Sequence, residues 1–325
     1  MNSIVFCGSI LTDIIKMLPA WPEKGMLVPI RSISRQIGGS VCNSGVDLKT
    51  LDPSLVVKAV GAVGDDDNGA FAVRSLEDRG LDCSLVRRVK GVPTSFTDVM
   101  TLETTGERTF FNLHGADSML VPEDVDVGSL DCELFHFGYL LLLDGMDAPD
   151  EEYGTKAARL LAKVQAAGIR TSIDIVSEQS ERFQRIVRPA LKYVDYCIIN
   201  EVEGSMATGV PASDLRGICE KLFELGVRER AVVHLPAKGV TLGRDGDWTE
   251  VPSLKLPAGW IKGSVGAGDA FCAGALYSLM KGFDPEKLLR VGSCAAAMNL
   301  SVADSISGAG SLEETLSLDV RFPRQ

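Results

Sequence analysis

Short apolar runs alternate with longer amphipathic stretches along most of the chain. Apolar runs rich in Val and Ile are typical of buried strands, and apolar positions three or four residues apart are typical of helices. The pattern predicts strands over 3–8, 55–61, 134–138, 171–175, 195–199, 231–235 and 239–243. It predicts helices over about 40–51, 67–79, 153–167, 179–192, 213–225, 267–281 and 285–300. Strands that alternate with helices build mainly parallel sheets covered on both faces, so we expect a three-layer α/β/α sandwich.

Two regions interrupt this alternation. Residues 11–37 and 92–115 lack helical periodicity and are rich in β-branched residues, Pro and polar residues. Residues 94–101 and 107–112 read as two strands joined by a turn at 104–106. We expect both regions to form a small separate β-layer, a lid. The predicted division is therefore an α/β core of residues 1–10, 38–91 and 116–325, with a lid of residues 11–37 and 92–115.

Composition and charge narrow the function. The chain has 33 basic and 44 acidic residues, and no stretch concentrates the basic ones, which argues against nucleic-acid binding. Nothing approaches the ~18 apolar residues of a membrane span, and residues 1–8 read as a strand rather than a signal peptide, so we expect a cytoplasmic protein. Eight cysteines without a C-x-x-C pair and only three histidines argue against a zinc ribbon or a disulfide scaffold.

The most informative segment is Gly263-Ser264-Val265-Gly266-Ala267-Gly268-Asp269-Ala270-Phe271. Small residues that lead directly into a helix leave its first N–H groups open, so that a phosphate can approach them. Asp269 lies in the first turn beside those donors, where a carboxylate can take a proton from an attacking alcohol. The structural alternative is an ordinary acidic residue in a first turn, with small neighbours for tight packing.

The longer string Gly266-Ala267-Gly268-Asp269-Ala270-Phe271 resembles the C-terminal signature of the PfkB (ribokinase-like) carbohydrate kinase family. The resemblance implies a three-layer ribokinase-like fold with a small β lid. It also implies an ATP-dependent kinase for which Gly266, Ala267 and Gly268 supply a backbone anion hole and Asp269 is the catalytic base.

The same resemblance implies a set of substrate contacts. Val5 to Ser9 with Asp13 is similar to the family's first strand and its substrate-binding aspartate, and Gly38-Gly39 with Asn43 is similar to its Gly-Gly-x-x-x-Asn element. Arg108 lies where relatives have a lid arginine that reaches the substrate. The alternatives are a solvated loop acid for Asp13, a polar helix residue for Asn43 and a surface salt bridge for Arg108.

The nucleotide and the metal are assigned by the resemblance as well. Asn200 and Glu203 look like the family's Asn-x-x-Glu motif, so Asn200 is expected near the phosphates of ATP and Glu203 near Mg²⁺, a cation that prefers oxygen ligands. Asp174 also ends a strand and is expected at the same cleft. The remaining expected nucleotide contacts are Lys238, Gly239, Asn299 and Ala309.

One further segment resembles the family but is interpreted as structural. Residues 61–69 are similar to its first signature, and we expect turn glycines followed by an Asp or Asn that caps the next helix.

The chain departs from the family pattern at three places. Gly263 stands where relatives usually have an Asp that helps to hold a monovalent cation, which leaves potassium activation open. Val176 and Glu178 stand where Asn and Arg are frequent, which removes one positive charge. Pro236 replaces a glycine of the nucleotide loop and lacks its N–H donor.

Three functions remain open at this point. The first is a sugar kinase, and the second is a nucleoside kinase with a base shelf built from Trp21, Phe96 or Phe110. The third is a ligand-binding protein without turnover. A nicotinamide dehydrogenase and a Walker-type NTPase are disfavoured because their glycine motifs are absent. Relatives often dimerise through their lids, so a homodimer through residues 11–37 and 92–115 is a further expectation.

Overall fold

The computed structural model describes residues 2–177 and 182–325. The strands, in chain order, are β1 (Ser3–Gly8), β2 (Leu11–Leu18), β3 (Ser32–Gly38), β4 (Val56–Gly64), β5 (Asp82–Val89), β6 (Phe96–Leu102), β7 (Arg108–Leu113), β8 (Leu134–Leu140), β9 (Pro149–Asp150), β10 (Gly154–Thr155), β11 (Arg170–Ile175), β12 (Tyr196–Asn200), β13 (Arg230–Leu235), β14 (Lys238–Gly243) and β15 (Trp248–Pro252).

The helices, in chain order, are α1 (Ser40–Leu51), α2 (Asp67–Glu77), α3 (Asp144–Asp147), α4 (Lys156–Ala166), α5 (Phe183–Leu191), α6 (Glu201–Thr208), α7 (Leu215–Leu225), α8 (Ala267–Lys281), α9 (Pro285–Asn299) and α10 (Leu312–Arg321). Short 3-10 turns at Ala116–Met119, Pro122–Asp124 and Val127–Ser129 precede β8. None of the helices in the described ranges is long and apolar enough to cross a bilayer.

A nine-stranded sheet forms the centre of the molecule, in the order β15-β14-β13-β12-β11-β8-β1-β4-β5. Neighbouring strands from β13 to β5 are parallel, and β14 and β15 add an antiparallel edge. The mainly parallel sheet expected from the sequence is therefore confirmed. Its parallel strands end at one edge, where open α/β sheets bind their ligands.

Helices cover both faces of this sheet and bury two separate apolar cores. Along β1, Ile4 and Phe6 point into the core beneath α1, α2, α8 and α9, whereas Val5 and Cys7 point into the core beneath α4, α5 and α7. Successive side chains of a strand point to opposite faces, so a strand covered on both sides is apolar throughout. This explains why β1 reads as one continuous apolar run.

A second, four-stranded sheet has the order β3-β2-β6-β7. β2 pairs with β3 and β6 with β7 in antiparallel fashion, whereas β2 and β6 run parallel. The predicted turn after β6 is present, because the Leu102 N–H donates to the carbonyl of Glu107 across it. All four strands fall within or at the ends of the two regions expected to form a lid. The domain division itself stays a prediction.

Several elements differ from the sequence-based expectation. The helix expected over 179–192 is present as Phe183–Leu191, and its expected first residues lie outside the described part of the chain. The sequence pattern missed β5, β15, α6 and α10. β5 and β15 are the two edge strands of the large sheet, so they carry charged residues and lack the apolar run that identifies a central strand.

Candidate active site

The N-terminus of α8 opens into a cleft at the carboxyl edge of the sheet. Gly266 precedes the helix in a left-handed conformation with φ 81°, and a Cβ atom there would lie 2.6 Å from the carbonyl oxygen of Ser305. Both features require glycine at this position. Ala267 and Gly268 begin the helix and line the cleft, so the positive end of the helix dipole lies at its wall. The Ala267 N–H makes a long hydrogen bond of 3.4 Å to the carbonyl oxygen of Ser264.

Asp269 lies in the first turn of α8 with its side chain 8% exposed. Its Oδ2 accepts a hydrogen bond from Asn43 Nδ2 at 2.9 Å, and its Oδ1 accepts one from the Tyr139 hydroxyl at 2.6 Å and a longer one from Ser44 Oγ at 3.4 Å. Burial raises the pKa of this carboxyl to about 6, and the three hydrogen bonds oppose the rise. The carboxyl group is therefore ionised at neutral pH, and its pKa lies close enough to neutral pH for it to accept a proton from a substrate.

A cavity of about 800 Å³ extends from this helix terminus between α9 and the β13–β14 edge. Its walls are mostly apolar, with a few polar groups at the ends, as in sites for small organic ligands. The lining residues that matter here are Asn200, His234, Lys238, Lys255, Ala267, Gly268, Phe271, Ala297 and Leu300. The ring of His234 packs against that of Phe271 with centroids 4.6 Å apart, and burial lowers the pKa of His234 to about 4, which keeps the imidazole neutral.

Asn200 and Glu203 form the beginning of α6. The side chain of Asn200 accepts hydrogen bonds from the N–H groups of Val202 and Glu203, and Glu203 Oε2 accepts the N–H of Asn200 at 3.0 Å. Glu203 Oε1 accepts from Ser177 Oγ at 2.6 Å. This capping box holds Glu203 5% exposed, and burial raises its pKa to about 7. Asn200 lines the cavity directly.

The segment expected to be a nucleotide loop is a tight hairpin. Leu235 and Lys238 pair at the ends of β13 and β14, with Pro236 and Ala237 at the tip. Lys238 lines the cavity and forms an ion pair of 2.5 Å with Glu250. Gly239 lies inside β14, where a Cβ atom would lie 3.1 Å from the Leu289 side chain.

Asp13 and the two glycines before α1 meet at the small sheet. Asp13 is half-buried on β2, and a Cβ atom on Gly38 would lie 2.6 Å from Asp13 Oδ2, so the carboxylate rests against bare backbone. Gly39 has φ 92°, and a Cβ atom there would lie 2.5 Å from the carbonyl oxygen of Ser9. Burial raises the pKa of Asp13 to about 6, although a hydrogen bond from Thr97 and the positive charge of Arg108 lower it in part.

Arg108 makes a backbone contact that the sequence did not suggest, and its expected reach toward a substrate stays a prediction. Its Nη2 donates to the carbonyl oxygen of Ala303 at 2.8 Å, which links β7 to the segment after α9. The salt bridges among the described residues do not include Arg108. Arg108 therefore joins the small sheet to the core close to Asp13.

Three expected nucleotide contacts, Gly239, Asn299 and Ala309, are not among the residues that line the cavity. Asn299 is 1% exposed, and its Nδ2 donates to the carbonyl oxygen of Ser305 at 2.7 Å. Ala309 lines a separate small cavity beside Asp47. Asn299 instead supports Ser305, whose Oγ donates to Asn43 Oδ1 at 2.9 Å. A chain of hydrogen bonds therefore runs from the end of α9 through Ser305 and Asn43 to Asp269.

The structure shows the surroundings of Gly263 and Val176, two positions at which the chain departs from the family pattern. A Cβ atom on Gly263 would lie 2.9 Å from the carbonyl oxygen of Ala303, so this position has no room for a carboxylate. Val176 is half-buried just beyond β11. Glu178 lies outside the described residues. Asp174 is buried, and its burial together with the nearby charges of Asp269 and Glu203 raises its pKa well above the ordinary range. Its expected place in the cleft stays a prediction.

The remaining sequence expectations concern Asp66 and the aromatic residues of the small sheet. Asp66 caps α2 as expected, accepting the Gly69 N–H at 2.8 Å, and also accepts the N–H of Thr94 at 2.8 Å. Trp21 is half exposed and lines a groove on the small sheet, and Phe110 is also exposed. Phe96 is half-buried at the start of β6.

Sequence reasoning missed Tyr139 and Ser44, the two hydroxyl donors to Asp269. Tyr139 comes directly after the predicted strand 134–138, at the edge where parallel sheets bind ligands, and this position was a usable signal. Ser44 follows Asn43 and was overlooked as an ordinary helix residue.

Comparisons with known proteins identify the family of the chain. The sequence profile described as pfkB family carbohydrate kinase matches residues 1–310. Ribokinase of Arabidopsis thaliana is 26% identical over 321 residues, which cover 97% of this chain and 80% of the relative. A 5-dehydro-2-deoxygluconokinase of Shouchella clausii is 25% identical over 304 residues, which cover 89% of this chain and 87% of the relative.

Solved structures show the same fold. The structure of Arabidopsis thaliana ribokinase complexed with ribose and ATP superimposes with a TM-score of 0.81 at 22% identity, covering 98% of each chain. Ribokinase of Thermotoga maritima has a TM-score of 0.78 at 20% identity, covering 98% of this chain and 99% of the other. The chain belongs to the pfkB family of carbohydrate kinases and is a phosphotransferase with an alcohol group as acceptor.

Proposed function

We propose that this protein transfers the γ-phosphoryl group of Mg·ATP to a hydroxyl of a sugar or related polyol. One observation carries the proposal: the Asp269 carboxylate is buried at the N-terminus of α8, and the first two residues of that helix, Ala267 and Gly268, line a cavity of about 800 Å³. A proton acceptor and an anion site next to each other are the two parts that phosphoryl transfer to an alcohol requires.

In this reaction Asp269 accepts the proton of the acceptor hydroxyl. The hydroxyl oxygen forms a bond to the γ-phosphorus while the bond from that phosphorus to the bridging oxygen of ADP breaks. The N–H groups at Gly266, Ala267 and Gly268 stabilise the charge on the transferred group, with that of Ala267 giving up its long bond of 3.4 Å to the Ser264 carbonyl oxygen. The dipole of α8 acts in the same direction. Burial of the site excludes water, which would otherwise compete with the acceptor.

The cavity supports ATP as the donor. Its volume lies within the range of small-molecule sites, and its apolar walls at Phe271, Ala297 and Leu300 suit a base, with Lys238 and Lys255 available to phosphates. Asn299 and Ala309 would act indirectly in this arrangement, through Ser305 and the packing behind the cavity.

Mg²⁺ fits the donor set at the beginning of α6. Oxygen ligands and retained waters are what this cation prefers, and Glu203 offers a carboxylate near the cavity. The amide oxygen of Asn200 already accepts the N–H groups of Val202 and Glu203, so Asn200 holds Glu203 in place and faces the phosphates from the cavity wall. When bound, the cation supplies positive charge to the phosphates. The raised pKa of Glu203 supports the assignment, because a cation would relieve the unfavourable burial of its charge.

Asp13, Gly38, Gly39 and Asn43 are the proposed acceptor contacts, with Arg108 closing the site from the small sheet. Asn43 already donates to Asp269 and accepts from Ser305, and its amide retains one N–H and one oxygen lone pair for a substrate. The absence of a side chain at Gly38 leaves room for the Asp13 carboxylate against the backbone, where it would accept a hydroxyl of the polyol.

The alternative acceptor is a nucleoside. It is supported by an aminoimidazole riboside kinase of Salmonella typhimurium that is 25% identical over 288 residues, covering 86% of this chain and 82% of the relative. A ribose or fructose acceptor and a nucleoside share adjacent hydroxyls, so the same residues serve either one.

A coupled ADP-release assay with Mg·ATP and a panel of ribose, fructose and adenosine tests the proposal. We expect ADP release with at least one acceptor, and a loss on the order of 10²–10⁴-fold in Asp269→Asn, the usual contribution of a general base. Asp131→Asn, on an exposed residue outside the site, is the matched control and should keep the wild-type rate. Unchanged turnover in Asp269→Asn would contradict the assigned base. Binding without ADP release from any acceptor would favour a protein without turnover.

A homodimer through the small sheet is a second part of the proposal. The sheet and the loop between β2 and β3 expose several large apolar side chains, namely Trp21, Met26, Leu27, Ile30, Ile33, Phe110, Phe111 and Leu113. Five of them, Trp21, Met26, Leu27, Ile30 and Phe111, line one groove. Exposed apolar patches of this kind are typical of protein interfaces. A second copy of the same sheet is the partner expected from the family resemblance.

A further inference from the structure

The segment that carries Tyr139 is fixed on several sides. Gly138 ends the pairing of β8 with β1, and its carbonyl accepts the N–H of Ser9 at 3.0 Å. Two residues further on, Leu141 is fully buried with φ 78°, a conformation that a branched residue adopts only when its surroundings impose it. The Leu141 N–H donates to Asp147 Oδ1 at 3.1 Å. The backbone on both sides of Tyr139 is therefore fixed by contacts that do not involve its side chain.

The Tyr139 hydroxyl makes the shortest of the three hydrogen bonds to Asp269, at 2.6 Å. Burial, together with the charges of Asp269 and Asp174, raises the pKa of this phenol well above its usual value. The hydroxyl is therefore protonated at every physiological pH and acts as a donor. A donor that is present in both charge states of its acceptor favours the ionised one.

We propose that Tyr139 is a positioning residue for the reaction: by donating to Asp269 Oδ1, its hydroxyl orients the carboxylate and keeps it ionised in spite of burial. This inference rests on the proposed function, in which Asp269 is the base. Asn43 and Ser44 hold the carboxylate from α1, and Tyr139 holds it from the opposite side, at the end of β8. The remaining lone pairs are left for the acceptor hydroxyl.

The charge state of Asp269 depends on titratable groups from five elements. They are Tyr139 on β8, Asp47 on α1, Asp174 on β11, Glu203 on α6 and Cys272 on α8 itself. Burial raises the pKa of Asp47, Asp174 and Cys272 well above the ordinary range and that of Glu203 to about 7. Of these groups, Tyr139 alone donates a hydrogen bond to Asp269 in the described part of the chain.

The pH dependence of kcat/KM for Tyr139→Phe tests the inference. Wild-type activity should fall as the pH drops through about 6, the pKa of Asp269. Removing the phenol hydroxyl should move this acid limb up by about one pH unit, because one hydrogen bond to a charged group has roughly that effect. Near pH 9 Asp269 is ionised in the wild type and in Tyr139→Phe, so the variant should approach the wild-type rate. A merely structural defect would lower the rate equally at all pH values.

Tyr277→Phe is the matched control. Tyr277 lies two turns further along α8, is 6% exposed and packs against Phe283. The acid limb of the kcat/KM profile of Tyr277→Phe should therefore superimpose on that of the wild type. An acid limb of Tyr139→Phe that also superimposes on the wild type would overturn the inference and leave the proposed function intact. Absence of ADP release from the wild-type protein would instead overturn the proposed function itself.

A second measurement covers the case in which Tyr139→Phe does not fold. Tyrosine is replaced throughout the chain by 3-fluorotyrosine, whose more acidic phenol is a stronger donor. Since Tyr139 is the tyrosine that contacts Asp269, we expect the acid limb to move to lower pH. An unchanged limb in the fluorinated protein would overturn the inference.

Discussion

Gly268→Ala separates the role of the α8 N-terminus in binding phosphate from its role in the fold. Gly268 is the second residue of the helix, and the nearest atoms to a Cβ placed there are Cε1 and Nε2 of His234, at 3.6 and 4.0 Å. These are ordinary van der Waals distances, so the methyl group fits without displacing a neighbour. Alanine is favoured over glycine in a helix by up to about 1 kcal/mol. We therefore expect the free energy of unfolding to stay constant or to rise by about 0.5–1 kcal/mol.

The same methyl group points into the cavity at the proposed phosphate position. It leaves the backbone donors in place but holds a phosphate away from them. A displacement of about 1 Å from the reactive geometry lowers rates on the order of 100-fold. The expected phenotype is therefore a protein that melts up to about 2 °C higher than the wild type and has kcat/KM for ATP reduced on the order of 100-fold.

Gly266→Ala is the contrasting variant. Its methyl group would lie 2.6 Å from the Ser305 carbonyl oxygen, and alanine is disfavoured at a φ of 81° by about 1–2 kcal/mol. Gly266→Ala should lose both stability and activity, whereas Gly268→Ala should lose activity alone. The assays are thermal unfolding and coupled ADP release. Wild-type kcat/KM for ATP in Gly268→Ala would refute the placement of a phosphate at this helix terminus.

Three further predictions concern other parts of the molecule. Asp47 is buried without a hydrogen-bond partner for either carboxylate oxygen, and burial raises its pKa well above the ordinary range, so its ionisation destabilises the fold increasingly as the pH rises above about 4. Asp47→Asn should therefore raise the melting temperature more at pH 8 than at pH 4, and an equal gain at both would contradict this account. Arg108→Ala removes the link to Ala303 and the positive charge near Asp13, and steady-state kinetics should show a KM for the acceptor raised about tenfold; an unchanged KM would assign Arg108 a role in surface packing. Leu27, which is 90% exposed, lies on the proposed dimer face, so sedimentation should show a wild-type dimer and a Leu27→Glu monomer, and a monomeric wild type would exclude the interface.

The hydrophobic pattern predicted the large sheet well, because its central elements carry their own signal. The bounds of β1, α1 and α8 agree with the expectation to the residue, since each is apolar over its full length or begins at a glycine. The small sheet was anticipated only as a region. Its parallel pairing of β2 with β6 joins residues 12–18 to 96–102, and local propensity contains no information on such distant register.

The candidate site was predictable where its residues are neighbours in the sequence. Asp269 and Gly266 belong to one short string, so the sequence itself places them together. Tyr139 reaches Asp269 across 130 positions of the chain, and only the order of strands in the sheet brings them into contact. For Asn299 the prediction of a nucleotide contact rested on its position late in the last apolar helix. Such a position does not determine the direction of the side chain, which donates to Ser305 instead.

The position of β1 inside the large sheet has a consequence for how the chain folds during synthesis. β1 is buried along its whole length, and one of its two neighbours is β8, in which Leu134 pairs with Ile4. At about 5–20 residues per second, roughly ten seconds pass between the synthesis of these two residues. During that interval an apolar strand leaves the ribosome without one of its final partners. We expect nascent chains that stop before β8 to aggregate or to bind chaperones. Refolding from denaturant should be slow, because β1 must pair with a strand that lies about 130 residues further along the chain.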